Sequence, residues 1–277
     1  MSERGTDIFL DEAGRPRVLL GAAVYSRSTW VAELAARCGF DAVWLELEHG
    51  PASFETIESL CLAVEAGGGI PVVRIPDTQR VHVLRTLEVG ARVLLAPMVS
   101  TVEQARDLVA FGKFPPLGRR GYNTRTRGVR YGLRGARNEF AAANERTYLF
   151  AQIETREAVA NQEAILSVQG LAGVLVGPGD LSASLGCLGE PGNPELIRTA
   201  TDCIRRARGA GKHAGILTGP GPMLDAAIEA GCDLVFCAGD IMDLATAWPK
   251  SVAGFRDRLR AARQPASAQA GDGGLGR

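Results

Sequence analysis

The segment AVWLELEHGPASFETIESLCLAVEAGGGIPVVRIPDTQRVHVLRTLEVGARVLLAPM (42–98) holds three short apolar runs: AVWLEL (42–47), PVVRI (71–75) and RVLLAPM (92–98). Longer segments separate them, and QRVHVLRTLEVG (79–90) reads as helix. The runs are too uniformly apolar for strands with one face in water. They have the pattern of parallel strands buried on both faces. The same rhythm continues outward. VLLGAAVY (18–25) precedes the segment, and YLFAQIE (148–154), GVLVGP (173–178), HAGILT (213–218) and LVFCAGD (234–240) follow it. Between these runs lie TWVAELAARCG (29–39), with Trp30, Leu34 and Arg37–Cys38 at helical spacing, TVEQARDLVAFG (101–112), and PMLDAAIEAG (222–231), ended by Gly231. Eight strand–helix units predict an α/β protein of the (β/α)8 TIM barrel type. An open, doubly wound sheet usually carries a glycine-rich phosphate loop after its first strand. VLLGAAVYSRS has no GxGxxG, so the barrel is the expected fold.

The chain has 277 residues, 46% apolar and 22% charged, as in ordinary water-soluble globular proteins. Basic and acidic residues both number 31, so the net charge is zero. That argues against duplex nucleic acid or an anionic membrane as partner. No apolar stretch approaches the ~20 residues needed to span a bilayer. The first twenty residues lack the features of a secretory signal. The six cysteines show no CxxC pair or finger spacing and read as reduced thiols. The expected location is the cytoplasm. Two segments break the rhythm. Residues 113–146 form a long connection with eight Arg and five Gly. Residues 264–277 have the composition of a disordered tail. The expected organisation is one barrel domain over 1–263, followed by that tail.

In a barrel, chemistry sits at the carboxyl ends of the strands. Glu46, Glu48 and His49 follow strand 2, Arg74 ends strand 3, and Gln152 and Glu154 end strand 5. Asp180 follows strand 6, Thr218 strand 7 and Asp240 strand 8. Carboxylates meeting at a barrel mouth repel one another unless a cation lies between them. Glu154 and Asp180 end adjacent strands and are the candidate ligands for Mg2+ or Mn2+. The competing reading makes Asp180 and Asp240 helix caps, and for Asp240 that reading is preferred. Arg74, at the mouth of a buried strand, requires an anion opposite it. His49 lies next to acids. His82, inside a helix, and His213, at the start of a strand, read as structural. Only three basic residues are lysines: Lys113, Lys212 and Lys250. None stands at a strand's carboxyl end, which excludes a Schiff-base mechanism.

The strings LELEHGPASFETI, PVVRIPD, ARVLLAPMVSTVEQARDLV, PPLGRRGYN, AQIETREAVANQEAIL, GVLVGPGDLSASLG and GKHAGIL occur in this order. Together they resemble the HpcH/HpaI family of metal-dependent pyruvate aldolases, related to the citrate lyase β-subunit, over residues 18–255. The resemblance implies metal binding (Mg2+, Mn2+ or Co2+) by Glu154 and Asp180, and a general-base role for His49. It implies contact of Arg74 with a 2-oxo acid and its enolate, and substrate positioning by Gln152. The backbone of Gly177, Pro178 and Gly179 would border the pyruvate carboxylate. It also implies a homo-hexamer, a trimer of dimers, with helix 241–260 exchanged between protomers. The sequence departs from the family at Glu46, where an Asp is usual; the resemblance still implies a catalytic role for Glu46, its longer side chain hydrogen-bonding His49. Residues 122–135 also differ, and Arg119–Arg134 either meet an acidic acceptor or form a solvated surface. The expected reaction is reversible cleavage of a 4-hydroxy-2-oxo acid to pyruvate and an aldehyde. The alternatives are condensation of oxaloacetate with an acyl-CoA, another enolate addition, and a 2-oxo-acid sensor without catalysis.

Overall fold

The computed structural model describes residues 7–263. Eight parallel strands close into a barrel in sequential order: β1 (Leu19–Val24), β2 (Ala42–Glu46), β3 (Ile70–Arg74), β4 (Val93–Ala96), β5 (Tyr148–Ile153), β6 (Gly173–Val176), β7 (His213–Leu217) and β8 (Leu234–Gly239). β1 pairs with β8 to complete the cylinder. The helices are α1 (Thr29–Arg37), α2 (Phe54–Ala66), α3 (Arg80–Glu88), α4 (Val102–Gly112), α5 (Ala136–Arg146), α6 (Arg156–Ala160), α7 (Gln162–Leu166), α8 (Pro178–Leu185), α9 (Pro194–Gly209), α10 (Pro222–Glu229) and α11 (Asp240–Arg263). Each strand lies within its expected run, except that β3 begins one residue earlier, at Ile70. Most strands stop one or two residues short of the run's end, where the chain turns into the mouth loops.

The period of two along each strand sorts the side chains. Trp44, Val72, Leu95, Phe150, Leu175 and Phe236 fill the barrel interior. Their neighbours Val43, Leu45, Val73, Leu94 and Val174 face the helices. Two residues beyond Trp44, Val72 and Phe150 come Glu46, Arg74 and Gln152. The alternation that fills the barrel therefore also sets these polar groups on its top layer. Gly21 leaves room for the Phe236 ring, which a Cβ there would meet at 2.4 Å. At the amino end Phe9 stacks on His213, with centroids 3.6 Å apart, and closes the floor. His213 is held by Asp233 (2.7 Å) and His82 by Asp77 (2.6 Å), away from the mouth.

Three local expectations change. In α1 the buried residues are Ala32 and Ala36, while Trp30 and Leu34 are exposed. Helical spacing alone does not say which stripe meets the barrel. Asp180 does not cap α8: Gly177 occupies the cap position and Asp180 lies in the first turn. Asp240 opens α11, but its carboxylate also accepts from the backbone N–H groups of Tyr25 and Ser26, both at 2.9 Å. It thus ties the β1–α1 loop to the end of β8.

The long connection is more structured than its composition suggests. It contains a 3-10 turn (Arg127–Gly132) and α5, and it packs along α3. Val129, Phe114 and Ala143 form a small core of their own. Lys113 is buried and donates to the carbonyls of Asn144 (2.6 Å) and Thr147 (2.5 Å). Burial, with Arg120 nearby, lowers its pKa to about 8. Arg127 pairs with Glu65, Arg134 with Glu139 (3.1 Å), and Arg120 stacks over Phe114. These arginines hold the segment together and fasten it to α2 rather than facing the barrel mouth. The expected tail 264–277 lies outside the described residues, as do residues 1–6.

Candidate active site

β2 and β3 run in register with Glu46 beside Arg74. The Glu46 carboxylate is filled to capacity. Its Oε2 accepts from Arg74 Nη2 (2.6 Å), Arg74 Nε (2.9 Å) and Trp44 Nε1 (3.2 Å). Its Oε1 accepts from the backbone N–H of Glu48 (2.7 Å) and of His49 (3.0 Å). Glu46 therefore contacts His49 through the backbone and makes no contact with the imidazole. The ring Nε2 instead lies 3.5 Å from Glu48 Oε2, which is itself 3.1 Å from Arg74 Nε. Arg74 is 7% exposed. Burial opposes its charge, but the bond to Glu46 more than offsets that and raises its pKa. Its contacts use Nε and Nη2, which leaves Nη1 for an incoming anion. Burial also raises the pKa of Glu48, against the opposing pull of Arg74 and His49.

Across the mouth, Glu154 follows β5 and is 2% exposed. Its Oε1 accepts from the Met98 backbone N–H at 2.6 Å, and its Oε2 from Gln152 Nε2 at 3.1 Å. Met98 adopts a left-handed backbone (φ 53°). A non-glycine residue held in that region points to a local constraint. Here the constraint aims an N–H at the carboxylate. Burial pushes the Glu154 pKa up to about 7, with further repulsion from Asp180 and Glu48. The site thus gathers three mutually repelling carboxylates, Glu154, Asp180 and Glu48.

Whether a divalent ion suits these residues rests on three observations. Carboxylate oxygens are the donors that Mg2+ and Mn2+ prefer. Gln152 Oε1 is buried with no hydrogen-bond partner. Gly177 supplies the space for Glu154: a Cβ there would lie 2.3 Å from Glu154 Oε2. The described residues contain no group of three or more His, Cys, Asp or Glu side chains that could hold a metal. Two protein carboxylates plus exogenous oxygens is the arrangement these residues fit.

Sequence reading brought Glu46, Glu48, His49, Arg74, Gln152, Glu154 and Asp180 to one face of the barrel. It missed the Met98 N–H, because a backbone donor has no sequence signature beyond its place after a strand. It also missed Tyr25, half-exposed in the β1–α1 loop. Burial raises its phenol pKa, and Glu46, Arg74 and Glu48 act on it electrostatically. The three lysines remain away from the mouth: Lys113 and Lys212 donate to backbone carbonyls, and Lys250 is on α11.

A closed (β/α)8 barrel carrying carboxylates, an imidazole and a guanidinium above its strands has the layout of a barrel enzyme. Sequence comparison gives the family. The HpcH/HpaI aldolase/citrate lyase family matches residues 23–230, and the chain belongs to it. It is a metal-dependent aldolase, a carbon–carbon lyase acting on small oxo acids. The 2-keto-3-deoxy-L-rhamnonate aldolase of Klebsiella pneumoniae subsp. pneumoniae is 36% identical over 243 residues, which is 87% of this chain and 90% of that protein. An HpcH/HpaI aldolase from Desulfitobacterium hafniense superposes with a TM-score of 0.82 at 28% identity, covering 90% of this chain and 95% of that one. Citrate synthase SbnG superposes at 0.79 with 25% identity, covering 88% and 95%.

Proposed function

We propose that this enzyme cleaves a 4-hydroxy-2-oxo acid to pyruvate, or a close 2-oxo acid, and an aldehyde, and runs the reverse addition. The observation that carries the reading is the convergence of Glu154, Asp180, Arg74 and His49 over one barrel mouth. Glu154 and Asp180 would hold Mg2+, Mn2+ or Co2+. The ion would supply Lewis-acid polarisation of the 2-oxo group. Gln152 orients the bound acid, and the backbone of Gly177, Pro178 and Gly179 borders its carboxylate. Arg74 Nη1 stabilises the negative charge that develops on the 2-oxo oxygen. Glu46 holds Arg74 in place for that task.

His49 removes the proton of the 4-hydroxyl. The O–H electron pair becomes the aldehyde C=O, the C3–C4 pair becomes the C2–C3 double bond, and the C2=O pair moves onto oxygen. Return of the proton to C3 gives pyruvate and restores the imidazole. Chelation is expected to abolish cleavage, and Mg2+, Mn2+ or Co2+ to restore it. Borohydride with pyruvate should leave the enzyme active and unlabelled, and a trapped lysine adduct would refute the mechanism. The structural likeness to citrate synthase SbnG supports a second reading, condensation of oxaloacetate with an acyl-CoA. The arginines of 113–146 do not strengthen it, since Arg134 and Arg146 pair with Glu139, Arg127 with Glu65 on α2 and Arg119 with Asp107 on α4. Turnover of acetyl-CoA with oxaloacetate would decide for it.

We further propose a homo-hexamer, a trimer of dimers, in which α11 is exchanged. None of the α11 residues is buried, and Ile241, Leu244, Trp248, Val252, Phe255 and Leu259 form an exposed apolar stripe. On the barrel, Leu20, Trp30, Leu34 and Ile228 are exposed on β1, α1 and α10, the elements that flank the place of an eighth outer helix. Apolar faces of this extent call for a partner, and a second copy supplies both halves. The free cysteines accord with a reducing cytoplasm, and no helix among the described residues is long and apolar enough to cross a membrane.

A further inference from the structure

We infer that Glu48, not Glu46, is the residue that positions His49, fixing its ring with Nε2 protonated and Nδ1 as the basic nitrogen. The inference rests on the proposed role of His49 as base. Five N–H donors occupy the two oxygens of Glu46, so it has no capacity left for an imidazole. Glu48 differs. Its Oε2 is buried and has no hydrogen-bond partner, although Arg74 Nε and His49 Nε2 lie at 3.1 Å and 3.5 Å. The Arg74 Nε proton is already given to Glu46 Oε2. Among the described residues the imidazole is thus the donor near Oε2 whose hydrogen is free to meet it. His49 itself is 62% exposed on its side chain, so no packing fixes the ring. A carboxylate on one ring nitrogen determines which nitrogen carries the lone pair. Bonds to catalytic histidines are commonly long before substrate closes the site, so 3.5 Å leaves room to tighten. The carboxylate also stabilises the imidazolium that forms when Nδ1 accepts the 4-hydroxyl proton. Glu46 then serves Arg74 and the backbone of the 48–49 turn.

The test is 15N NMR of imidazole-labelled, Mg2+-loaded, full-length enzyme with pyruvate bound. The His49 signals are assigned by their loss in His49→Ala. The expected result is a neutral His49 with Nε2 protonated, a preference lost in Glu48→Ala. Glu48→Ala should lower kcat for cleavage about 10- to 100-fold, with KM for the 2-oxo acid within about twofold, and Glu48→Asp should recover part of the loss. An Nδ1-protonated ring in the wild type, or unchanged signals and kcat in Glu48→Ala, would overturn the inference. Failure of the underlying reading is separate. Full cleavage activity in His49→Ala would remove the base role while leaving the measured tautomer to decide the orientation.

Discussion

At Gly177 the absence of a side chain is what keeps Glu154 in place. A methyl group there would collide with Glu154 Oε2 at 2.3 Å and crowd its Cβ at 3.1 Å. Gly177→Ala should therefore displace the carboxylate and weaken divalent metal binding roughly 10- to 100-fold, as losses of supporting groups at metal sites do. Calorimetric titration of the apoenzyme with Mn2+ reads this directly, and unchanged affinity would show that Glu154 is not a ligand. Glu154 also sets a pH dependence. Its carboxyl rises from 4.5 to about 7 on folding, chiefly by burial. The folded state then binds the proton more tightly than the unfolded state. The stabilisation is complete below the unfolded value and is lost as pH rises through about 7. The unfolding temperature of metal-free protein should fall between about pH 5 and pH 8, with the fall reduced in Glu154→Gln. Added Mg2+ at the upper pH should restore it, because the cation replaces the proton.

Elements carry two further expectations. The segment between α4 and β5 is held by a buried carboxylate. Glu139 is 0% exposed and lies 3.1 Å from Arg134 Nε and 3.8 Å from Arg146 Nη1. Removing it leaves two guanidinium groups without their buried counter-charge. Glu139→Ala should destabilise the protein by about 3 kcal/mol, read as a lower urea midpoint. Cleavage in buffer should persist, since the segment packs along α3 and not over the mouth. The second expectation concerns α11. An Asp at Trp248, in the centre of the apolar stripe, places a charge where a partner's barrel would cover it. Trp248→Asp should shift the sedimentation profile to smaller species. A hexamer that survives the substitution would show that α11 does not form the interface.

For the whole molecule, sequence and tertiary structure contribute differently. The eight parallel strands were legible because strands buried on both faces must be apolar throughout. The mouth residues were legible because each interrupts such a run at its end: Glu46 after Trp44 and Leu45, Arg74 after Val72 and Val73, Gln152 and Glu154 after Phe150 and Ala151. Chain order along a barrel is also spatial order, so these positions had to meet. The partner of His49 was not legible. Glu46 and Glu48 both lie within three residues of it, and spacing treats them alike. What separates them is Arg74, brought in from β3, which together with Trp44 and two backbone N–H groups saturates Glu46 and leaves Glu48 free. The arginine-rich connection was ambiguous for a related reason. Its charges are visible in the sequence, but Glu65, Glu139 and the Phe114 ring that engage them are positions set by packing. The exposed face of α1 followed the same pattern, since periodicity identifies stripes but not which one the barrel covers. The sequence alone determined the barrel and the set of reactive groups at its mouth, because burial pattern and strand order are local properties of the chain. Only the tertiary structure decided which group pairs with which, because hydrogen-bond capacity is shared among residues far apart in sequence and is assigned once they are packed together.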